Sequence, residues 1–287
     1  MRSAFWTAEA ARQHMLTRVS QTAQEAQKVG VRARLVIFDY SENPVAGQLK
    51  ALASDLGMLV SVEALERSLP ATQLRDRFRL IEKSKGVHGV FLPGGLTPAH
   101  QDCLEAHPGL STLLLDRPQD GLSPHLLSFL QLAAVHGWNP EGRRAAVVTS
   151  AATARLGAAL ADQLAALKMP VTRIAHPEEM GGALSRSELI WFVHGLPLKL
   201  APLHLSPSAV VVDGGKAFDL AGSLNEPQSR LLACRLRGLC TSNGGFSTLI
   251  NLNRVHRLLT RALGPRRPRL ATPLNRGRGR SAPPGRL

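Results

Sequence analysis

The strongest constraint on the fold is an alternation of short apolar runs with longer helical patterns in the first third of the chain. Apolar side chains recur at helical spacing in residues 8–28, which predicts an amphipathic helix. The elements predicted next are strand 34–38, helix 45–56, strand 58–62, helix 72–83 and strand 89–92. A run that is apolar throughout suits a parallel strand buried on both faces. The alternation therefore predicts a parallel sheet with helices packed on its faces.

The same rhythm returns in the second half of the chain. After a central helix at 125–136, the sequence predicts strand 144–148, helix 151–167, strands 171–175, 189–193 and 209–213, and a final helix at 247–263. Several crossovers in so short a span are typical of a Rossmann-like, doubly wound unit. We therefore predict an N-terminal α/β domain (1–124), a Rossmann-like domain (125–246), a C-terminal helix (247–263) and a tail (264–287).

The basic charge of the chain is concentrated at its C-terminal end. The formal net charge is +14, and residues 254–287 hold ten arginines but no lysine and no acidic residue. The rest of the chain carries 25 basic and 21 acidic side chains, which is an ordinary balance. After Gly264 the sequence is rich in Pro, Arg and Gly and has too few apolar residues to pack, so we expect a disordered tail.

Composition excludes several classes of protein. Three cysteines are too few and too scattered for a disulfide framework, and none has the spacing of a zinc site. No apolar run is long enough to span a membrane. The N-terminus lacks a secretory signal. Residues 1–24 carry three arginines and one acidic residue, which suits a short mitochondrial presequence or, as we prefer, an ordinary first helix.

Five short segments, most of them containing glycine turns, follow one another in a distinctive order. They are residues 86–92 before a Pro/Gly turn, 116–122, 209–215, 221–224 and 241–246. In this order they resemble the methylenetetrahydrofolate dehydrogenase/cyclohydrolase family, over about residues 5–263. The resemblance implies two α/β domains flanking a cleft and a C-terminal helix that returns to the first domain. It also implies folate in the cleft, NADP or NAD on the Rossmann side, and a homodimer.

The residues that this family uses at the folate are largely missing. The resemblance implies a Tyr and a Lys one helical turn apart, but Tyr40, the only tyrosine, precedes the helix concerned. The lysine position falls at Leu49, with Lys50 one residue further on, and Pro93 replaces a glutamine that supports the lysine. Asp120 matches the family's pterin-binding aspartate, although Asp before Gly is also an ordinary turn residue. Lys50 and Asp120 are the remnant candidates for catalysis.

The dinucleotide-binding loop is also altered. The resemblance implies a loop that begins Gly-Arg-Ser, whereas this chain has Thr149 at the glycine position and Ser150 at the arginine position. Ser150, Thr153 and Arg155 are weak candidates for holding a phosphate at the following helix N-terminus. We therefore expect no cofactor, or NADP or NAD if the chain is an active enzyme, and no metal.

The arginines of the C-terminal region predict contact with RNA. Arg254, Arg257 and Arg261 are spaced along the final helix so as to form one basic stripe. The tail adds Arg266, Arg267, Arg269, Arg276, Arg278 and Arg280. Guanidinium groups bridge phosphates and stack on bases, while Gly and Pro keep such a tail extended. We expect RNA and the proteins of a ribonucleoprotein as partners.

Three functions are compatible with this sequence. The preferred one is a catalytically degenerate relative of the folate enzyme that acts as a structural, RNA-contacting component of a ribonucleoprotein. The mitochondrial ribosome is then the natural setting, with the cytoplasm as the other location. The second is a divergent, active NADP-dependent methylenetetrahydrofolate dehydrogenase/methenyltetrahydrofolate cyclohydrolase. The third is a non-catalytic sensor of folate or a nucleotide. None of the three involves a membrane.

Overall fold

The computed structural model describes residues 5–39, 44–66, 69–92, 97–150, 153–175, 180–193, 205–213, 236–241 and 245–264. Within these residues the chain forms two parallel α/β units, which confirms the predicted fold class. Tyr40, Pro93, the segment 221–224 and the tail arginines lie outside the described residues. No helix of the described part of the chain is both long and apolar enough to cross a membrane.

The first unit contains a three-stranded sheet in the order β2-β1-β3, with all strands parallel. Its elements are α1 (Glu9–Lys28), β1 (Arg34–Asp39), α2 (Pro44–Asp55), β2 (Leu59–Ala64), α3 (Ala71–Lys83) and β3 (Gly89–Phe91). They are followed by α4 (Pro98–Glu105), α5 (Pro108–Leu113) and α6 (Pro124–Val135). A parallel bridge between Val90 and Leu114 continues the sheet beyond β3. Sequence analysis did not predict the short helices α4 and α5.

The second unit contains a five-stranded parallel sheet in the order β5-β4-β6-β7-β8. Its elements are β4 (Ala145–Val148), α7 (Ala154–Ala166), β5 (Val171–Ile174), α8 (Met180–Arg186), β6 (Leu189–Phe192), β7 (Val210–Asp213) and β8 (Gly238–Thr241). The sequence did not indicate α8 or β8. Strand β8 has no apolar run, and it owes its position to pairing with β7.

A final helix, α9 (Phe246–Leu263), connects the elements of the first unit. It packs against α1, α2 and α6, and it is buried on most of its circumference. Helix α1 contributes Met15, Val19 and Ala23 to the same core. Because residues 9–28 are a core helix, the interpretation of the N-terminus as an ordinary first helix is the one that the structure supports.

The N-terminal segment before α1 is attached to the second sheet. Phe5 forms a parallel bridge with Leu239 of β8, and Trp6 N donates to Leu239 O at 3.0 Å. The Trp6 ring stacks on His136 with 4.8 Å between ring centroids. A Cβ at Gly238 would lie 2.2 Å from this indole, so the close approach requires glycine. The start of the chain therefore bridges β8 and the end of α6.

Candidate functional site: the cleft at the carboxyl ends of the first sheet

The candidate site lies where the strands of the first sheet end. In open parallel sheets, ligands bind in the crevice outside the carboxyl ends of the strands. Here Asp39 ends β1, Phe91 ends β3, and Asp116 lies two residues beyond the bridging Leu114. The register of the strands places these residues side by side at one edge, and α9 packs against β1.

The centre of this cleft is an ion pair between Asp116 and Arg254 of α9. Arg254 Nε donates to Asp116 Oδ1 at 2.7 Å, and Nη2 donates to Oδ2 at 2.8 Å. Nη1 donates to Asn251 Oδ1 at 2.7 Å, and the guanidinium carbon lies 4.8 Å from the centroid of the Phe91 ring. Arg254 is 6% exposed, whereas the Asp116 side chain is 30% exposed. Three of the five N–H groups of the guanidinium are thus bound by side chains of the same chain.

His125 completes this network and is neutral at physiological pH. Its Nδ1 lies 3.9 Å from Asp116 Oδ1. Burial lowers the pKa of His125 to about 4, and the charges of Arg254 and Arg257 act in the same direction against the attraction of Asp116. Burial would raise the pKa of Asp116, but the charge and hydrogen bonds of Arg254, aided by His125, hold it below its usual value. The cleft therefore holds one carboxylate, one guanidinium and a neutral imidazole.

Two atoms near this network have no partner. Asn251 Nδ2 and Asp39 Oδ1 are buried, and neither makes a hydrogen bond in the structure. Buried polar groups are usually paired. These atoms are one donor and one acceptor that a small polar molecule could satisfy. Within the described residues, no group of three or more His, Cys, Asp or Glu side chains could hold a metal ion.

The arginine stripe predicted for RNA binding does not face solvent. Arg257 donates to backbone carbonyls of the segment that precedes α6, with Nη1 2.7 Å from Arg117 O. Arg261 Nη1 lies 2.9 Å from Leu113 O. The other acceptors of these two side chains are the carbonyls of Leu114, Leu115 and Leu122. Arg254, Arg257 and Arg261 do share one face, as their spacing predicted, but that face is turned towards the protein. The burial of Arg254 and Arg257 does not favour their contact with RNA, and RNA binding by the three arginines stays a prediction.

The lysine position of the family is occupied by a core residue. Leu49 is 0% exposed and lies on the buried face of α2, together with Ala46 and Ala53. Lys50, the next residue, is on the exposed side of the helix. Consecutive residues of a helix point in directions about 100° apart, so Lys50 cannot share the direction of Leu49. The structure does not place Lys50 in the cleft.

Asp120 is a central residue of a backbone turn. Asp120 and Gly121 have φ values of +53° and +80°. Gln119 N donates to Leu122 O at 3.0 Å, and Leu122 N donates to Gln119 O at 3.1 Å. This is a two-residue hairpin turn with both central residues left-handed, for which Asp-Gly is a favoured sequence. The Asp120 side chain is exposed, so the turn accounts for this residue without a ligand.

The side chains of Ser150 and Thr153, which flank the segment after β4, bind to each other. Thr153 Oγ1 accepts from Ser150 N at 3.0 Å, and the two hydroxyl oxygens are 3.1 Å apart. The methyl group of Thr149 fills the space beside Gly157, where a Cβ would lie 2.0 Å from Thr149 Cγ2. Because glycine is needed where a backbone approaches phosphate, a threonine at this position removes that approach. Thr149 thus occupies the position at which the resemblance implies a glycine.

Arg155 points away from that loop. Its guanidinium forms ion pairs with Glu105 and Asp102 of α4, the latter at 3.9 Å. These side chains are all exposed, so the pairs contribute little to stability. They do connect α7 of the second unit with α4 of the first. Of the three residues predicted to hold a phosphate, Ser150 and Thr153 lie together and form hydrogen bonds with each other. The third, Arg155, forms ion pairs with α4 instead.

Sequence analysis did not identify the Asp116–Arg254–His125 network. Asp116 begins one of the segments that resembles the folate enzymes, but no pattern linked it to an arginine 138 positions away. The available signal was that Arg254 lies among apolar residues of the final helix, next to Val255 and four residues from Ile250 and Leu258 in either direction. Such an arginine is buried only if a carboxylate or several carbonyls receive it. Within the described residues, neither a lysine nor a tyrosine belongs to this network.

The described fold is shared with known enzymes. Neither a protein-family model nor a curated protein sequence matches the chain. Among solved structures, the bifunctional methylenetetrahydrofolate dehydrogenase/cyclohydrolase from Campylobacter jejuni has a TM-score of 0.72 at 16% identity, covering 90% of this chain and 98% of that one. The corresponding enzyme from Trypanosoma brucei, solved with NADP and an inhibitor, has a TM-score of 0.70 at 17% identity over 92% and 97%.

A third structure gives the same result. A methylenetetrahydrofolate dehydrogenase from the silkworm Bombyx mori has a TM-score of 0.71 at 13% identity, covering 91% of this chain and 98% of that one. The chain therefore has a two-domain α/β fold. More particularly, it has the fold of the methylenetetrahydrofolate dehydrogenase/cyclohydrolase enzymes. At these identities the likeness establishes the fold and leaves the activity open.

Proposed function

We propose that this protein is a divergent, non-catalytic member of the methylenetetrahydrofolate dehydrogenase/cyclohydrolase family that acts as a structural, RNA-contacting component of a ribonucleoprotein. The observation that carries the first part is that the two charged side chains at the centre of the site, Arg254 and Asp116, are bound to each other. Arg254 is held by Asp116, Asn251 and Phe91, so three of its five N–H groups already have acceptors within the chain.

The replacement of the lysine supports a loss of catalysis. General acid–base chemistry needs a group that can hold or release a proton within hydrogen-bond reach of the substrate. Leu49 offers no such group, and Lys50 is exposed on another side of α2. His125 is the remaining titratable neighbour of Asp116, and its pKa of about 4 makes it a weak base.

The loop after β4 supports a loss of dinucleotide binding. Thr149 occupies the glycine position and is packed against Gly157. Ser150 and Thr153 satisfy each other. Residues here do not fit a pyrophosphate in the manner of a glycine-rich loop, and we derive no step that involves NADP or NAD.

The contact with RNA is assigned to the tail. Since Arg254, Arg257 and Arg261 are turned inwards, the helix offers no exposed basic stripe. The remaining arginines at 266, 267, 269, 276, 278, 280 and 286 stand without any acidic residue among them. Seven positive charges in a Gly- and Pro-rich sequence suit a groove of structured RNA.

The mitochondrial ribosome is the setting that we propose. A basic tail on a reused metabolic fold suits a protein that fills space between RNA helices. Since α1 is part of the core, any targeting signal within residues 1–24 has to act without removal of this helix. Fractionation of cells that express the untagged protein tests the location.

Binding to structured RNA tests the role of the tail. Fluorescence anisotropy would compare the full-length chain, a chain ending at Gly264, and a full-length variant with the seven tail arginines changed to glutamine. Seven phosphate contacts predict a log–log salt slope of about −5 on single strands and about −6 on duplexes. We expect both altered chains to lose most of the affinity and the slope. Equal binding by all three chains would refute the assignment.

A further inference from the structure

A groove opens on the face of the first sheet that α3 covers. It lies between β1, β2 and α3 and has a volume of about 380 Å³. Leu59 and Leu80, which are 43% and 71% exposed, contribute apolar surface to it. Ser61 and Ser84 contribute hydroxyl groups, and Arg34 contributes a guanidinium. A concave site of this size with apolar walls and a few polar groups can hold a small molecule or one unit of a polymer.

One side of the groove is the unpaired edge of β2, which among the described strands pairs with β1 alone. Leu59 N donates to Ala33 O at 2.9 Å, so alternate residues from Leu59 onwards direct their peptide groups to β1. The intervening residues direct theirs the other way, and Val60 is the first of them. Val60 lines the groove, while its side chain packs against the core on the opposite face of the sheet. The groove therefore also offers one backbone N–H and one backbone C=O.

Four exposed cations lie in two chain segments, 32–34 and 83–88, that meet beside this groove. His88 N donates to Arg34 O at 3.0 Å, and Arg34 N donates to His88 Nδ1 at 3.1 Å. A Cβ at Gly86 would lie 3.6 Å from Arg34 Nη1, so the guanidinium extends over the second segment. The cations of the two segments, which we call the basic wall, are Arg32, Arg34, Lys83 and Lys85.

The basic wall has no acidic partner in the part of the chain that the structure describes. None of the ion pairs found there includes a member of the wall. Glu82, the acidic residue next to Lys83, accepts from Leu110 N at 2.7 Å and lies 2.9 Å from His107 Nδ1. The wall therefore keeps its positive charges for a ligand. Such a cluster attracts a polyanion, and a guanidinium binds a phosphate group through two hydrogen bonds.

We propose that the groove binds a single-stranded segment of RNA, with its phosphates on the basic wall and one nucleoside in the groove. This inference rests on the proposed contact with RNA, and it adds a contact made by the folded part of the chain to that of the tail. In single-stranded RNA the base edges and the ribose hydroxyls are open to hydrogen bonds. The hydroxyls of Ser61 and Ser84 and the peptide group of Val60 supply donors and acceptors for them. Leu59 and Leu80 pack against the nucleoside.

An extended acidic peptide is the competing occupant, because the open edge of β2 is a template for a further strand. Two observations favour RNA. Ala64 O, at the end of that edge, already accepts from Arg77 Nη1 at 2.9 Å, which shortens the edge that a strand can pair with. The basic wall lies where β1 begins, so a peptide strand along β2 would reach it with one end only. An RNA strand that crosses this end of the sheet places successive phosphates on all four cations.

Fluorescence anisotropy with a labelled oligouridylate tests the groove in full-length chains. The seven tail arginines are first changed to glutamine, so that the tail no longer dominates binding. Four phosphate contacts predict that this chain retains a log–log salt slope of about −3. Arg32→Gln/Arg34→Gln/Lys83→Gln/Lys85→Gln in the same background should remove this slope and lower the affinity about tenfold or more at low salt. The control changes four exposed arginines of other elements to glutamine and should leave both nearly unaltered; they are Arg18, Arg144, Arg173 and Arg186.

A second pair of variants tests the groove itself. Leu80→Asp places a carboxylate at the rim of the groove and should weaken RNA binding several-fold in the same background. Leu156→Asp, at an exposed leucine of α7, is the control and should leave binding unchanged. Because both leucines are exposed, both variants should retain the fold, which circular dichroism verifies.

The outcomes separate this inference from the proposed function. If the unaltered chain does not bind RNA, both are refuted. If it binds RNA, but neither the four-residue variant nor Leu80→Asp lowers binding more than its control does, the groove assignment is overturned and the tail assignment stands. Displacement of the oligouridylate by polyglutamate at equal charge concentration would assign the groove to acidic peptides and would likewise overturn the proposal.

Discussion

Arg254 and Asp116 are joined by two parallel hydrogen bonds, 2.7 and 2.8 Å long, although 137 residues separate them in the sequence. The pair fastens the C-terminal helix to the segment that leads into α6. Arg257 and Arg261 extend the attachment by donating to five backbone carbonyls of the same segment. Three arginines of one helix thus bind polar groups of a segment whose strand pairing is limited to isolated bridges.

Removal of Arg254 should destabilise the protein strongly. In Arg254→Met the apolar stem is retained, but Asp116 loses its partner while still partly desolvated. We expect the free energy of unfolding to fall by roughly 2–4 kcal/mol in urea denaturation. Arg12→Met is the matched control, because Arg12 pairs with Glu9 on the surface. Its cost should stay below about 1 kcal/mol. Equal costs for the two variants would show that the internal pair is not structural.

Lowering the pH should reduce the free energy of unfolding already at pH values above those at which carboxylates titrate. Burial lowers the pKa of both His125 and His256 to about 4. The unfolded chain, with histidine near 6.5, binds more protons than the folded chain between these values. The contribution of these two histidines to the free energy of unfolding is therefore fully present above pH 6.5 and is lost as the pH falls towards 4. Each contributes a slope of at most about 1.4 kcal/mol per pH unit.

The measurement for this prediction is urea denaturation at a series of pH values. The double variant His125→Gln/His256→Gln should flatten the dependence between pH 4 and 6.5. His14→Gln, at an exposed histidine of α1, should leave the slope unaltered. A slope that persists in the double variant would assign the effect to other groups.

The packing of Thr149 against Gly157 should make these positions energetically coupled. Gly157→Ala places a methyl group within van der Waals overlap of Thr149 Cγ2 and should cost about 1–3 kcal/mol. Thr149→Gly in the same chain should recover most of that cost, and a double-mutant cycle measures the coupling. Gly47→Ala in α2 has open space and should be neutral or stabilising by up to about 1 kcal/mol. Additive effects at 149 and 157 would contradict the contact.

Neighbouring residues of α2 should respond very differently to alanine. Leu49 is fully buried, so Leu49→Ala should cost about 2–5 kcal/mol in the free energy of unfolding. Lys50 is exposed, so Lys50→Ala should change stability by less than about 0.5 kcal/mol. Thermal and urea denaturation of the two variants give the comparison. A large loss for Lys50→Ala would mean that its ammonium group has an internal partner.

The element order was predictable because burial in parallel sheets leaves a clear trace. The predicted strand at 34–38 corresponds to β1, Arg34–Asp39, and the predicted strand at 209–213 corresponds to β7, Val210–Asp213. Both are short apolar runs flanked by polar residues. Strand β8 left no such trace, because Gly238, which gives room to Trp6, and Thr241 leave it only two apolar residues, Leu239 and Cys240.

The site was less predictable because spacing alone does not tell which way a face points. Arg254, Arg257 and Arg261 share a face, but the carbonyls that receive them come from a distant loop. The same limit applies to Lys50. It is exposed, whereas its neighbour in the sequence, Leu49, is buried, and spacing alone does not distinguish the two positions. Asp120 was interpreted both as a pterin ligand and as a turn residue, and its φ of +53° supports the turn. Local turn chemistry was predictable where long-range pairing was not.

The most direct test of the account is turnover of methylenetetrahydrofolate by the purified full-length protein, with NADP or NAD, followed by absorbance of the reduced nucleotide and of methenyltetrahydrofolate. The account predicts no turnover above the uncatalysed rate, and no difference between the unaltered chain, Lys50→Ala and Asp120→Asn. Turnover that is lost in Lys50→Ala or Asp120→Asn while the fold is retained would contradict it and would identify the chain as a divergent active enzyme.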